Sequence, residues 1–501
     1  MKIKKHLTKL ALIIVISCLT GYSCTEYLDI VPDNTPTINH AFNNRFEAEG
    51  FLYGCYSFIP NFANPVNNPA LLGADEIWYT LNPNVIPNTL WYIQRGDQSA
   101  TSPLADYFAS NQTSYSLNGG KGIYTALRDC NIFLENIHLP YDLPDWERER
   151  WILEVKFLKA FYHFWLLRMY GPIPIVRDNL PVSASPEEVQ KYRAPVDEVV
   201  DYIVELIDEI ADKLPIEAEN IMTDLGKPTK AIALALKAQT LTLAASPLFN
   251  GNPDYADIVD NRGTRLFPDY SAEKWTKAAV ALREAIDAAH EAGHKLYDWN
   301  TNPFASNLHE QTNLAMQVRG AVTELWNPEI IWGDPRGNES RNLQRVCHPS
   351  FTSENNSNSY HNTWHPPLHI VEQFYTKNGV PIDEDPEWEG VDLLGLRVGD
   401  AEHKYNIKEG YTTANMHFNR EARFYGSLCF HGNLLYGNGR VNSDNNQYLI
   451  QTMRGNFGAS QTGYGCKKFV HYLSALPEKS NSLNAYSYPF PIIRLADLYL
   501  M

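Results

Sequence analysis

Nowhere in its 501 residues does the sequence hold an apolar run near twenty residues long, so no segment reads as a membrane-crossing helix. Cations are short: 42 Lys and Arg stand against 58 Asp and Glu, a net charge of -16. That deficit excludes a nucleic-acid partner, whose phosphates need a basic face. It also argues against loose electrostatic docking on anionic lipid. Cysteine is scarce, with seven at wide spacings and no Cys-x-x-Cys, which excludes a zinc ribbon or a disulfide scaffold. Gly-x-Ser-x-Gly, His-Glu-x-x-His and a phosphate loop are also missing. Carboxylates are plentiful, but the sequence says nothing of the separation that glycoside hydrolysis needs. The reading is therefore not an enzyme, with no cofactor and no metal. What the chain does have is 44% hydrophobic and 12% aromatic content, with 31 Pro and 29 Gly, which is globular composition rather than disorder.

The first residues, MKIKKHLTKLALIIVISCLTGYSC, join a basic stretch (Lys2, Lys4, Lys5, Lys9) to the ten-residue apolar core Leu10 to Leu19. This is the pattern of an export signal. Gly21-Tyr22-Ser23-Cys24 resembles a bacterial lipoprotein cleavage site, with Cys24 the lipidated residue; Cys18 is the rival, with a shorter core before it. Cleavage before Cys24 removes four lysines and no acid, taking the net charge to -20. Several acyl chains on one cysteine anchor stably, since each buried CH₂ contributes ~0.8 kcal/mol.

Helical periodicity then appears six times. It covers Arg45 to Ser57, Gly122 to Ile137, Asp145 to Tyr170, Val196 to Leu214, Thr229 to Ala245 and Ala272 to Ala292. The third is apolar around most of its girth and so is expected between neighbours. The fourth carries an acidic face, Asp197, Asp201, Glu205, Asp208 and Asp212, without bases on the same helix, and reads as solvated and mildly self-repelling. Paired helices at intervals suggest a mainly α, tetratricopeptide-like solenoid. Residues 293–490 are rich in Asn, Gly, Tyr and Pro and read as a loop-rich, irregular lobe. The expected organisation is a signal peptide at 1–23, a tether at 24–44, a helical scaffold at 45–292 with inserted loops at 59–114, the lobe at 293–490, and at 491–501 the start of a last helix. That helix is expected from Phe490 onward, and the chain stops inside it.

Six segments in order resemble the SusD/RagB family of bacterial cell-surface lipoproteins. They are Cys24-Thr-Glu-Tyr-Leu-Asp29; Arg128 to Ile137 (RDCNIFLENI); Glu154 to Val176 (EVKFLKAFYHFWLLRMYGPIPIV); Gly226-Lys-Pro-Thr-Lys230; Asn419-Arg-Glu-Ala-Arg-Phe-Tyr425; and Ile492 to Leu500 (IIRLADLYL). Glu421 and Ala422 replace the Asp-Pro of the family's Arg-Asp-Pro-Arg-Phe motif. The family continues past the last segment, so the chain is expected to be a fragment or to lack the cap of its last helical pair.

The resemblance implies a protein on the outer face of the outer membrane, lipid-anchored, that binds oligosaccharide and delivers it to a SusC-like TonB-dependent transporter. Its helical face would meet the transporter and its loops the ligand. A peptide-binding subunit of the same importer, or a helical scaffold that binds only protein, are the alternatives. Seven of eleven tryptophans, Trp78, Trp91, Trp299, Trp326, Trp332, Trp364 and Trp388, fall in irregular segments. A sugar's C–H face stacks on an aromatic ring while its hydroxyls need polar partners. Trp78-Tyr79 follows Asp75-Glu76; Trp91-Tyr92 precedes Arg95 and Asp97; Trp332 precedes Asp334 and Arg336. The expected ligand residues are therefore Trp78, Tyr79, Trp91, Tyr92, Arg95, Asp97, Trp299, Trp332 and Trp364. The competing expectation is that loop tryptophans anchor loops onto the core. The resemblance favours residues 75–97, because family platforms draw on loops after the first helix.

His361, His365 and His369, with His348 nearby, have metal-like spacing, but Pro366-Pro367 breaks any shared helical face. Asp383 to Glu389 is acidic but lacks the glycine and spacing of a calcium loop, so a solvated turn is expected.

Overall fold

A computed structural model describes residues 38–65, 68, 73–79, 96–97, 99, 106–108, 122–349, 363–454, 460–476 and 483–501. The signal segment, Cys24, most of the tether and His361 lie outside the described residues.

Helix α1 (Arg45–Tyr56) begins at Asn44, whose side chain accepts the Glu47 N–H at 3.1 Å and so satisfies an otherwise orphaned donor. It turns Ala48, Leu52 and Cys55 inward. Helix α2 (Ile123–Asn136) buries Ile123, Ala126, Leu127, Cys130 and Phe133, the stripe its periodicity predicts. Helix α3 (Asp145–Tyr170) is central and packs on α1 and α2. Every residue from Phe157 to Leu167 is buried, as expected of a helix that is apolar most of the way round. Its buried polar groups are tied to backbone. Lys159 donates to the Arg177 carbonyl. His163 lies between the Lys159 carbonyl, 2.7 Å from Nδ1, and the Val176 N–H, 3.2 Å from Nε2. The amide can only donate, so Nε2 accepts and the proton sits on Nδ1. Burial lowers this imidazole to about 4 and keeps it neutral. Gly171, at φ 69°, ends the helix in the left-handed region.

Helices α4 (Val196–Ile210), α5 (Lys230–Ala245) and α6 (Glu273–Glu291) continue the array: α4 packs on α3, and α5 on α4 and α6. The acidic face of α4 is not self-repelling, which corrects the sequence reading. Lys274 of α6 pairs with Asp197 and Lys156 of α3 with Glu209. Lys237 of α5 reaches Asp208 at 2.8 Å, Lys230 reaches Asp212 at 2.9 Å, and Arg177 reaches Glu205 at 3.3 Å. The partners come from neighbouring helices and, for Arg177, from the segment after α3, so no spacing along α4 reveals them.

Residues 293–490 are irregular but hold more helix than the sequence suggested: α7 (Glu310–Thr323) and α8 (Gly337–Cys347). The remainder is coil with short helical turns and two-stranded ladders. Those used below are β1 (Trp78–Tyr79), β2 (Ile330–Asp334), β3 (Trp364–His365), β4 (Leu428–Phe430), β5 (Tyr464–Cys466) and β6 (Phe490–Arg494). The expected helix from Phe490 is a second correction. Residues Phe490–Arg494 form a strand antiparallel to β2, with Phe490 opposite Asp334 and Arg494 opposite Ile330. Only then does helix α9 (Leu495–Leu500) begin, where the Arg494 N–H donates to Asp497 at 2.8 Å. Ile331, Trp332, Ile493, Leu495 and Leu498 join the large helical core, while the rest of the lobe is held by several small cores.

Those small cores contain buried cations bonded to coil carbonyls. Arg319 donates to the carbonyls of Tyr436 (3.0 Å) and Val470 (2.8 Å). Arg420 donates to those of Val371 (3.0 Å), Met416 (3.0 Å), Tyr375 (3.2 Å) and Phe374. Lys467 donates to Asn433 Oδ1 at 2.6 Å and to the Leu434 carbonyl at 3.0 Å. Burial lowers the Lys467 ammonium to about 7.

Candidate ligand-binding site

The site is built on β3, which is bolted to the lobe. Trp364 is fully buried (0% exposed) among Leu343, Val346, Cys347, Cys466 and Val470, with the Phe469 ring edge-on at 6.0 Å. His365, also buried, has Nδ1 3.3 Å from the Tyr464 carbonyl, and burial lowers it to about 4, so it is a neutral donor there. Strand β1, drawn from the irregular segment after α1, pairs with β3, placing Trp78 opposite His365 and Tyr79 opposite Trp364. Cross-strand partners leave a ribbon on the same face. On that face His365 is buried while Trp78 keeps 48% of its surface exposed, held by an Nε1–H bond to Gln461 Oε1 at 3.2 Å. On the segments flanking the two strands, the exposed Asp75 carboxylate stands 3.7 Å from His369 Nε2.

The arrangement presents an indole on a fixed base with an amide bonded to it, and an acid–imidazole pair, Asp75 and His369, on the segments that carry the two strands. An aromatic face takes the C–H surface of a sugar, and these groups can both donate to and accept from hydroxyls. Gln461 was missed because it is 383 residues from Trp78 and nothing in its local sequence marks it.

Three of the expected ligand residues are placed elsewhere. Trp299 is 1% exposed, with Nε1 donating to Asn313 at 2.9 Å and the Tyr472 ring edge-on at 5.1 Å. Trp332 is 3% exposed, with Nε1 donating to the Gly226 carbonyl at 3.1 Å and Phe157 and Phe161 edge-on at 5.4 and 5.1 Å. With Trp364 they are anchors of the core and not open platforms. The reason is area: in a segment without periodicity the largest apolar side chain is the one that pins the chain. Asp97 is exposed. Trp91, Tyr92, Arg95 and the side chain of Tyr79 lie outside the described residues. Of the histidine run, His365 is buried in β3 and His369 is exposed on the short helix Leu368–Glu372, so the two share no face. Among the described residues no group of three or more metal-ligating side chains comes together, and no helix is long and apolar enough to cross a membrane.

A family model described as the SusD family matches residues 328–501, and one described as starch-binding, associating with the outer membrane, matches residues 84–241. Among solved structures, one named BT4246 is 25% identical, with a TM-score of 0.73 over 91% of this chain and 78% of that one. A SusD-like protein from Bacteroides fragilis is 18% identical, with a TM-score of 0.59 over 94% and 76%. A SusD-like carbohydrate binding protein from the same species is 15% identical, with a TM-score of 0.50 over 92% and 73%. The last two carry likeness of fold. No curated protein matches the chain.

Proposed function

The chain belongs to the SusD/RagB family, and from that premise we propose that it captures oligosaccharides at the cell surface and delivers them to a SusC-like TonB-dependent transporter. The observation that carries the reading is Trp78: a half-exposed indole fixed by Gln461 and paired across the ribbon with buried His365. Such a site suits reversible binding. Anchoring through lipid on Cys24, on the extracellular face, belongs to the same proposal and rests on the signal pattern and on the family's association with the outer membrane. Trp91, Tyr92 and Arg95 are proposed to complete the platform.

Affinity electrophoresis on soluble starch and a glycan array, followed by titration of the best ligand, tests the proposal. Trp78→Ala is expected to weaken binding about tenfold, the loss of one stacked ring at roughly 1.4 kcal/mol, with little change in Tm. Binding of peptides with no glycan bound at any concentration would replace the glycan reading with the peptide one.

A further inference from the structure

A second feature lies apart from Trp78, where the scaffold meets the β2–β6 ribbon. There the end of α1, the turn before α5 and the ribbon enclose a cavity of about 300 Å³. Its apolar walls include Tyr53, Tyr56, Leu225, Trp332, Pro335 and Ile492. The wall is tight where the two bodies touch: a Cβ on Gly226, at φ +92°, would stand 3.2 Å from the Gly333 carbonyl.

Most polar groups in the lining are already engaged. The Tyr56 hydroxyl donates to Glu154 at 2.7 Å, and Trp332 Nε1 to the Gly226 carbonyl. Arg336 spends its fork on Asp334 (2.6 and 2.8 Å) and on the carbonyls of Ile59 (3.1 Å) and Pro60 (2.8 Å). Lys227 is paired with Asp224 at 3.0 Å, and the Ser57 hydroxyl with the Gly54 carbonyl at 2.7 Å. A water held in a cavity needs two to four polar partners, and an apolar cavity of roughly 150 Å³ is known to stay dry and take up benzene. Here the volume is larger, three of the walls are aromatic, and Tyr53 at the mouth is half-exposed.

We propose that this cavity is a binding site for one uncharged aromatic ring of the phenol class, with its ring against Tyr53, Tyr56 and Trp332 and its hydroxyl at the open side. Cavities of this size, lined by aromatic side chains at the junction of two bodies, are typical of small-ligand sites. Occupancy bridges scaffold and ribbon, so it stabilises both together.

Titration with phenol, followed by calorimetry and by the fluorescence of the wall tryptophan, tests this. One saturable site and a raised Tm are expected. Thr223→Trp and Ser57→Trp, which place bulk at the mouth from exposed positions, should weaken phenol at least tenfold, while Trp78→Ala leaves it unchanged. Phenyl β-glucoside is the second probe: equal binding means that the ring enters as a substituent of a sugar, and rejection means that a free phenol is the ligand. Crystals soaked in 4-bromophenol give a readout that needs no variant, an anomalous bromine peak between Tyr56 and Trp332. Absence of that peak, or phenol binding that both filled variants retain, overturns the proposal.

Discussion

In the scaffold, apart from buried Lys159, the cations of the helix seams lie near the surface and meet acids; in the lobe three cations go inside and bond carbonyl oxygens. Lys156, Lys237 and Lys274 reach the acidic face of α4 from three different helices, whereas Arg319 of α7, Arg420 and Lys467 are buried. The difference follows from backbone chemistry. A helix satisfies its own carbonyls, so its side chains are free to face water. Coil leaves carbonyls without partners, and burying them demands donors; a guanidinium supplies five in one rigid group. The lobe is therefore ordered by a few multi-bonded cations, the scaffold by many interchangeable apolar contacts.

The strongest way to break this contrast is Arg420→Leu. It removes the Arg420 donors from the carbonyls of Val371, Phe374, Tyr375 and Met416, of which Tyr375 keeps the Glu421 N–H, and should cost about 3–5 kcal/mol in chemical denaturation. An unchanged midpoint would show that the lobe does not depend on it. The next effect is read against pH. Lys467 is lowered to about 7 by burial, facing Cys429 and Arg319, against about 10.4 in an unfolded chain. Between those values the unfolded state binds more protons, so stability rises with pH through this window and the full penalty is present below pH 7. Lys467→Met should remove that rise, a difference from wild type of roughly 1.4 kcal/mol per pH unit mid-window. Parallel pH profiles for the two proteins would refute a charge-based penalty. The smallest effect belongs to the scaffold. Lys237→Met breaks the pairs to Asp208 and Glu284 and should cost under about 1 kcal/mol, less at high salt. A larger loss at high salt would make the seams depend on packing of the lysine stem rather than on charge.

How far each region could be read from sequence follows the same divide. Periodicity placed α3 at its observed ends, and placed α1, α2, α5 and α6 to within a residue or two, because each helix buries a stripe it carries itself. The neutralising partners of α4 were invisible because they lie on other helices. Strand β6 was mistaken for helix because its pairing partner lies some 160 residues earlier. Tryptophan burial does not follow secondary structure: on helices Trp146 and Trp275 are 68% and 43% exposed while Trp151 and Trp165 are buried, and in irregular segments Trp299, Trp332 and Trp364 are buried while Trp78 is half-exposed. Irregular backbone marks missing periodicity and says nothing of depth. Trp78 could be picked out from its acidic neighbours, but its bond to Gln461 could not.

The β2–β6 ribbon has a consequence in time. It joins residues Ile330–Asp334 to Phe490–Arg494, so the chain leaves the scaffold for the lobe and returns at one spot. Helices α1 to α6 can pack on one another as each emerges from the ribosome, since each meets a neighbour already made. The lobe cannot be clasped until residue 494 has been synthesised, and Ile331 and Trp332 wait for Ile493 and Leu495 to complete their part of the core. Because both ends of the excursion share that clasp, loops between them can lengthen, shorten or be exchanged without touching a helix seam. The ribbon makes the lobe a replaceable cassette, free to change what it holds while the helical array stays as it is.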